Sequence, residues 1–506
     1  MINLFSNQMY TVTISIFTIL LFSCDSNTEN SHSESYIVED ISLPEGLTGE
    51  VGGLDFLPNG NLIACFHRGE IMTYDLETKE WNLFAYGLHD PLGIQVINNS
   101  EILVMQQPEL TRIVDTDGDG SADLYETVTD DFGLSGNYHE FNYGPVLDTD
   151  GNIYIALNTA SSGAGFKEIV RGELDLRGMD GKDGKKQMYS VVPYRGWMMQ
   201  ISKEGDVKPF AYGLRSPNGL GFDQDGNLFV ADNQGDWVST SALYHIQENN
   251  FYGHPASLVW KEDWTGGNPF ETPIGELDGM RTKASVLFPQ GIMANSPSQP
   301  LFDPTNGRFG PFAGQLFIGE MNRERIVRVM LEEVNGQIQG ACVPFMDNKG
   351  LRKGNNRLAF APDGSLWVGQ TEHGWAGAKG IQRIRYTGTR PFEVYSVNLT
   401  KDGFDLNFTT PVSETVFDSA QIQIRHYFYD YYKKDLDEPV DKSIQVDVQE
   451  VAVSDLSVSR DGKKLSLELP ELKAGYIYEF KLGNLKSADG KILENNLICY
   501  TLNHLK

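Results

Sequence analysis

Positive charge is in short supply in this chain of 506 residues. Forty-one lysines and arginines stand against 69 aspartates and glutamates, for a formal charge of −28, and no basic block occurs. Nucleic acid and anionic lipid are therefore poor partners, whereas calcium and neutral sugars suit that balance. Cysteine is scarce too, at four residues. Setting Cys24 aside, Cys65, Cys342 and Cys499 are odd in number and widely scattered. That excludes a disulfide framework and a cysteine metal cluster, and leaves them as buried fillers. No sustained helical period is present either, so helices do not carry the fold. What remains is ample for a core: 40% of the residues are hydrophobic and 11% aromatic. The length allows two or three domains, or one repeat fold with an appendage.

The start is set up for export. Residues 11–23, "TVTISIFTILLFS", form an apolar run too short to span a bilayer comfortably, and Cys24 follows at once. "LFSC" resembles a bacterial lipobox, so residues 1–23 are expected to be a lipoprotein-type signal peptide with a lipid anchor at Cys24. An ordinary apolar leader with an incidental cysteine is the alternative. The polar stretch that follows, "DSNTENSHSES", opens a tether over 24–44 expected to be disordered. The chain is thus expected to face water outside the cytoplasm, periplasmic or on the cell surface.

One phrase recurs. "GGLDFLPNGNLIAC" (52–65) is echoed by "YGPVLDTDGNIYIAL" (143–157), "NGLGFDQDGNLFVAD" (218–232) and "NRLAFAPDGSLWVGQ" (356–370), and more loosely by "FGPFAGQLFIGE" (309–320). Each is a strand, an Asp-Gly or Asn-Gly turn, and a second strand with alternating apolar residues. A second echo pairs "YGLHDPLGIQV" (86–96) with "YGLRSPNGLGF" (212–222). Repeated hairpins of this kind predict an all-β fold, a six-bladed β-propeller over 45–390. Beyond it, residues 391–506 alternate in period two with polar turns and almost no catalytic residue types. They are expected to form an immunoglobulin-like β-sandwich that spaces or docks the propeller.

"DTDGDGSADLYE" (115–126) has the spacing of an EF-hand calcium loop: Asp115, Asp117, Asp119, Ser121, Asp123 and Glu126 at positions 1, 3, 5, 7, 9 and 12, with Gly120 at position 6. Five carboxylates so close repel one another unless a cation sits among them. The flanking "LTRIV" and "YETVTDDF" favour strands over the mobile helices of a sensor. The expectation is a structural calcium clip on a blade.

Chemistry in a propeller is expected where loops surround the central channel. Three segments supply candidates. In "NYHEFNYGP", His139 stands before a blade, beside Glu140 and Tyr143, as a potential general base. In "YGLRSPNGL…FVADNQGDW", Arg215 precedes a proline turn, and Asp232, Asn233, Gln234 and Asp236 crowd the next strand end. In the last blades, Asn295, Glu320, Asn322, Arg323, Arg357, Gln370 and His373 can bond sugar hydroxyls, with Trp237 and Trp375 available to stack on a ring.

Over residues 45–386 the chain resembles the soluble glucose and sorbosone dehydrogenase superfamily, six-bladed propellers that bind pyrroloquinoline quinone (PQQ) and calcium. The resemblance rests on "YGLRSPNGLGFDQDGNLFVADNQG" and "NNFYGHP" (249–255). It implies that His139, before "GPVLDTDGNIY", is the general base, and that Arg215 steadies charge growing on the quinone. It implies that Asn233, Gln234 and Gly235 form the loop holding a calcium ion near the cofactor. Asn322 with Arg323 stands at the place of the family's cofactor-clamping lysine, Arg357 at that of its arginine pair, and Asn158 at that of the aspartate orienting the base. With no C-x-x-C-H haem motif, such an enzyme needs an external electron acceptor. Two other functions stay open on the sequence. One is a carbohydrate lyase, dehydratase or hydrolase acting on uronate-containing oligosaccharides, with His139 or Tyr143 abstracting a proton and Arg215 or Arg357 neutralising the carboxylate. The other is a non-catalytic propeller that binds a glycan or a protein.

Overall fold

The computed structural model describes residues 33–506 apart from 162, 165–167, 181–186, 374–376, 418–421 and 433–443. The expected signal peptide, Cys24 and Trp375 lie outside the described residues. No helix among the described residues is long and apolar enough to cross a membrane.

Six antiparallel four-stranded meanders dominate the molecule. Their first strands are Val51–Phe56, Gly93–Asn98, Asn142–Leu147, Pro217–Phe222, Pro297–Phe302 and Asn355–Phe360. Each first strand packs against those of its two neighbours, and the sixth packs on the first, so the ring closes. The repeated turns supply the local geometry. In two of them, Asp148 and Asp223, the aspartate side chain accepts the N–H groups two and four residues on. The glycine that follows takes a positive φ, +87° at Gly151 and +80° at Gly226. This is the Asx-turn chemistry that the Asp-Gly signal implies. The second strands Leu62–Phe66, Leu228–Asp232, Leu316–Glu320 and Leu366–Gln370 are buried at every residue, since neighbouring sheets cover both their faces. Near the axis the strands approach so closely that only glycine fits. A Cβ on Gly93 would stand 1.6 Å from the Gly144 carbonyl oxygen, and one on Gly52 1.8 Å from that of Pro91.

Two features differ from the sequence expectation. Tyr36–Ile41, inside the stretch expected to be a disordered tether, is a strand paired with Gly380–Tyr386 as the outer strand of the sixth sheet. Tyr36 buries against Phe309 and Phe345 there, and Glu39 pairs with Arg385. "YIVEDI" thus carries enough apolar surface to dock, and it latches the two ends of the ring together. The second difference lies at the C-terminus. Leu497–Leu502, Tyr476–Lys481, Gln423–Phe428 and Val446–Glu450 continue the fifth sheet, with Cys342 opposite Cys499, to give eight strands in one sheet. Another sheet (394–399, 403–408, 455–458 and 464–468) covers it, and Phe404, Leu406, Leu465, Tyr478 and Tyr500 fill the space between. The sandwich therefore shares a sheet with the ring. Cys65, Cys342 and Cys499 are free and buried, as the sequence suggests.

Candidate active site

Connections between second and third strands, and from one meander to the next, emerge on one face of the ring. Side chains at the ends of second strands anchor these loops. Asp232 accepts the N–H groups of Arg215 at 3.0 Å and Ser216 at 2.6 Å. Glu320 accepts those of Asn295, Ser296 and Arg323, at 2.8, 3.1 and 2.5 Å. Burial raises the pKa of both carboxyls, and these N–H donors oppose it. Asp232 and Glu320 are loop anchors, which spends the oxygens that the sequence offered as sugar ligands.

His139 belongs to the loop entering the third meander. Its N–H is held by the Asn137 side chain at 2.9 Å, and its Nδ1–H donates to the Thr159 carbonyl at 2.9 Å. Thr159 in turn donates through its N–H and hydroxyl to the Arg215 carbonyl, at 3.0 and 2.8 Å. The base candidate and the arginine are thus tied together through one residue. Dense surroundings and the Arg215 charge bring the His139 imidazole down to about 4, so it is neutral at pH 7. With Nδ1 the donor, Nε2 carries the lone pair, and it has no hydrogen-bond partner among the described residues. Asn158, in the place of an orienting aspartate, bonds Ser216 instead, at 3.1 Å. A main-chain carbonyl orients His139.

Arg215 Nε stands 3.3 Å from Asp236 Oδ1, and His254 Nε2 lies 3.5 Å from Asp236 Oδ2. The Met188 N–H reaches the same Oδ2 at 2.5 Å. Burial pushes the Asp236 carboxyl up, but His254, Arg215 and that N–H outweigh it and bring it down to about 2. Gly235 makes room for this arrangement: a Cβ there would stand 2.0 Å from Arg215 Cδ and Nε. Beyond these ion pairs, several buried polar atoms here lack a hydrogen-bond partner: His254 Nδ1 and the amide oxygens of Asn158, Asn218, Asn233 and Gln234. Buried polar groups are rarely left so, and their concentration around the 233–236 loop makes it the candidate binding locus. His254 escaped the sequence reading, although the "YGHP" phrase that carried the resemblance contains it.

Other predicted residues have different places. Arg357 is sealed in the channel, its guanidinium donating to the carbonyls of Gly52, Leu92, Asn218 and Asn356 at 2.7–3.2 Å. Burial lowers it to about 10, and it neither clamps a cofactor nor reaches a uronate. It is a plug that satisfies inner-strand carbonyls. Tyr143 lies 5.0 Å beneath that guanidinium, and burial pushes its phenol well above the usual value, which removes it as a base. Arg323 donates to the Gly291 carbonyl at 2.5 Å, and it shares its loop with Asn322. Trp237 is 2% exposed, stacked on Tyr432 at 4.0 Å, and donates to Gln187 at 2.9 Å. It cannot meet a sugar ring. Tyr431 bonds the Gly253 carbonyl at 2.5 Å and the Tyr432 N–H donates to the Trp237 carbonyl at 3.0 Å, so the C-terminal region, expected only to space or dock, braces the loops that carry His254 and Asp236.

The acidic hairpin 115–123 joins the third and fourth strands of the second meander, at the opposite end of its strands from these loops. Oxygens of Asp115, Asp117 and Asp119 lie within 4.8 Å of one another. Asp115 accepts the N–H groups of Gly118 and Gly120, and Asp119 that of Ser121. Asp123 instead bonds Thr116, and Glu126 sits on the following strand, paired with Arg112 at 2.5 Å. The twelve-residue ligand set is not assembled, because a strand follows the loop where an EF-hand has a helix to swing its last glutamate inward.

Solved structures to which the chain shows similarity include the PQQ-bound aldose sugar dehydrogenase of Streptomyces coelicolor (16% identity, 70% of this chain and 99% of that one, TM-score 0.46). The PQQ domain of pyranose dehydrogenase from Coprinopsis cinerea, in its holo form, gives 13% identity over 70% and 96%, with a TM-score of 0.49. The soluble aldose sugar dehydrogenase of Escherichia coli in its apo form gives 14% over 70% and 100%, with a TM-score of 0.46. No curated protein matches the chain. Residues 72–374, more than half of the sequence, match a family described as a domain of unknown function, and the chain belongs to that family, DUF7133.

Proposed function

We propose that this chain is a sugar dehydrogenase of the quinone-dependent kind, in which His139 takes the proton of a sugar hydroxyl. The observation that supports it is the chain of bonds from His139 Nδ1 through Thr159 to Arg215. It fixes the ring through the Arg215 main-chain carbonyl and leaves a neutral Nε2 lone pair, with the Arg215 charge near enough to help hold the imidazole neutral. Proton abstraction by an uncharged imidazole, with a cation to stabilise the negative charge that develops, is the first requirement of hydroxyl oxidation. Asp236 holds the arginine in place, and the 2% exposure of Trp237 reflects a rigid wall behind the loop. The unpartnered Asn233 and Gln234 oxygens are hard donors suited to calcium, and the Arg215 guanidinium, whose Nε faces Asp236, has its terminal N–H groups to offer an anionic oxygen. PQQ would be held by Arg215 with a calcium ion on Asn233 and Gln234, and when bound it supplies the hydride acceptor. Arg357 does not join that set, and Arg323 is engaged by the Gly291 carbonyl.

The scaffold belongs to the same proposal: a six-bladed propeller with an immunoglobulin-like sandwich, exported and tethered through Cys24, and a second, structural calcium at Asp115, Asp117 and Asp119. Quinone binding by fluorescence titration in excess calcium tests the site. Saturable, calcium-dependent binding that weakens in Arg215→Ala is expected, followed by dye-linked oxidation of an aldose that His139→Ala abolishes. No binding of PQQ by the folded protein would overturn the proposal.

A further inference from the structure

A second cluster stands on the loop face where the ring closes. His67 follows the second strand of the first sheet, Asp90 lies in the connection to the second sheet, and His373 follows the second strand of the sixth. His67 Nδ1 is 2.6 Å from Asp90 Oδ1, and His373 Nε2 is 3.6 Å from the same oxygen. The two imidazoles stack at 4.1 Å and 24°. One ligand atom from each residue lies within 4.8 Å of the others. Thr371 Oγ1 sits 3.2 Å from His67 Nε2 and accepts the His373 N–H at 3.1 Å.

These contacts decide what the cluster can hold. In the metal-free chain His67 Nδ1–H donates to the Asp90 carboxylate at 2.6 Å, and the Thr371 hydroxyl donates to Nε2. A divalent cation would displace that one proton and take Nδ1 and the carboxylate oxygen as two ligands already held side by side. Asp90 is also built for the place: it takes a left-handed φ of 52°, and His67 makes the one hydrogen bond to its carboxylate among the described residues. Glu50 Oε2 lies 3.7 Å from His373 Nδ1, where a carboxylate sets the tautomer of a metal-bound imidazole. Side-chain exposure rises from 4% at His67 and 15% at Asp90 to 38% at His373, so the cluster opens to solvent on one side.

We propose that His67, Asp90 and His373 bind a divalent transition cation, with solvent completing its coordination. Two imidazoles and one carboxylate suit zinc, cobalt or iron(II), whereas calcium and magnesium prefer oxygen alone. Three protein ligands with an open position is the arrangement of an exchangeable or catalytic ion. The ion joins the first and sixth sheets and the loop leading to the second, so it also pins the ring at its closure. This site is independent of His139 and Arg215, and of any quinone.

Cobalt(II) is the probe, titrated into the metal-free protein carrying Asp117→Asn, which weakens the acidic hairpin as a competitor. Visible d–d absorption should appear and saturate at one equivalent, and excess zinc should abolish it. His373→Ala, at the exposed ligand, should weaken binding by more than about 100-fold, beyond the loss expected from an outer-sphere residue. His67→Gln should do the same, with circular dichroism confirming the fold. Saturable binding unchanged in both variants would overturn the proposal. So would its absence at millimolar cobalt, which would leave a hydrogen-bonded histidine–carboxylate network.

Discussion

Lowering the pH should make His139 a liability, in a narrow window. Its imidazole titrates at about 4 in the folded chain, against 6.5 when unperturbed. Above pH 6.5 both states are neutral there and nothing is lost. Between 6.5 and 4 the unfolded chain binds a proton that the folded one refuses, so stability falls as pH falls. At about 1.4 kcal/mol per pKa unit, roughly 2.5 kcal/mol should be gone by about pH 4.5. Carboxylates such as Asp236, brought down to about 2, add their own losses at lower pH. The measurement is therefore a difference. Urea unfolding of wild type and His139→Gln is compared at pH 7.5 and pH 4.5. The variant lacks the titrating ring, so its stability should fall less across that interval by about 2.5 kcal/mol. Equal pH dependence in the two proteins would refute the argument, because it would place the imidazole in ordinary solvation. The same titration bears on chemistry: the acid limb of any His139-dependent activity should lie near pH 4, well below the usual histidine range.

Other perturbations have equally definite outcomes. Gly235→Ala should displace Arg215 from Asp236, since the added Cβ would fall 2.0 Å from its Cδ and Nε. Turnover should then drop at least about 10-fold while the melting temperature changes little, as expected for a misplaced positioning group. Arg357→Met should lower unfolding free energy in urea by about 3 kcal/mol or more, because four inner-strand carbonyls lose their donor. Tyr432→Ala should expose the Trp237 indole, now stacked at 4.0 Å, visible as a red shift and stronger quenching of tryptophan fluorescence. Asp117→Asn should remove calcium-dependent thermal stabilisation, and Glu126→Gln should leave it intact, since Glu126 is engaged by Arg112.

What local chemistry determines was legible in the sequence. The Asp-Gly turns, the period-two strands and the buried cysteines depend on near neighbours and on composition, and the structure repeats them turn by turn. His139 and Arg215 stand out in the sequence because each lies beside a recognisable turn phrase. The acidic loop was half legible: Asp115, Asp117 and Asp119 gather through local Asx bonds, whereas Glu126 is placed by its opposite strand. Tertiary structure alone decided the rest. Arg357 reads as a site cation until the ring closes and supplies carbonyls for its guanidinium. Trp237 reads as a stacking platform until Tyr432, 195 positions later, covers it. His67, Asp90 and His373 share no stretch of sequence, and only the closure of the first sheet on the sixth brings their ligand atoms together. Spacing along a chain fixes turns and strands because those interactions span a few residues. A closed ring makes neighbours of residues 306 positions apart, and no local signal encodes that.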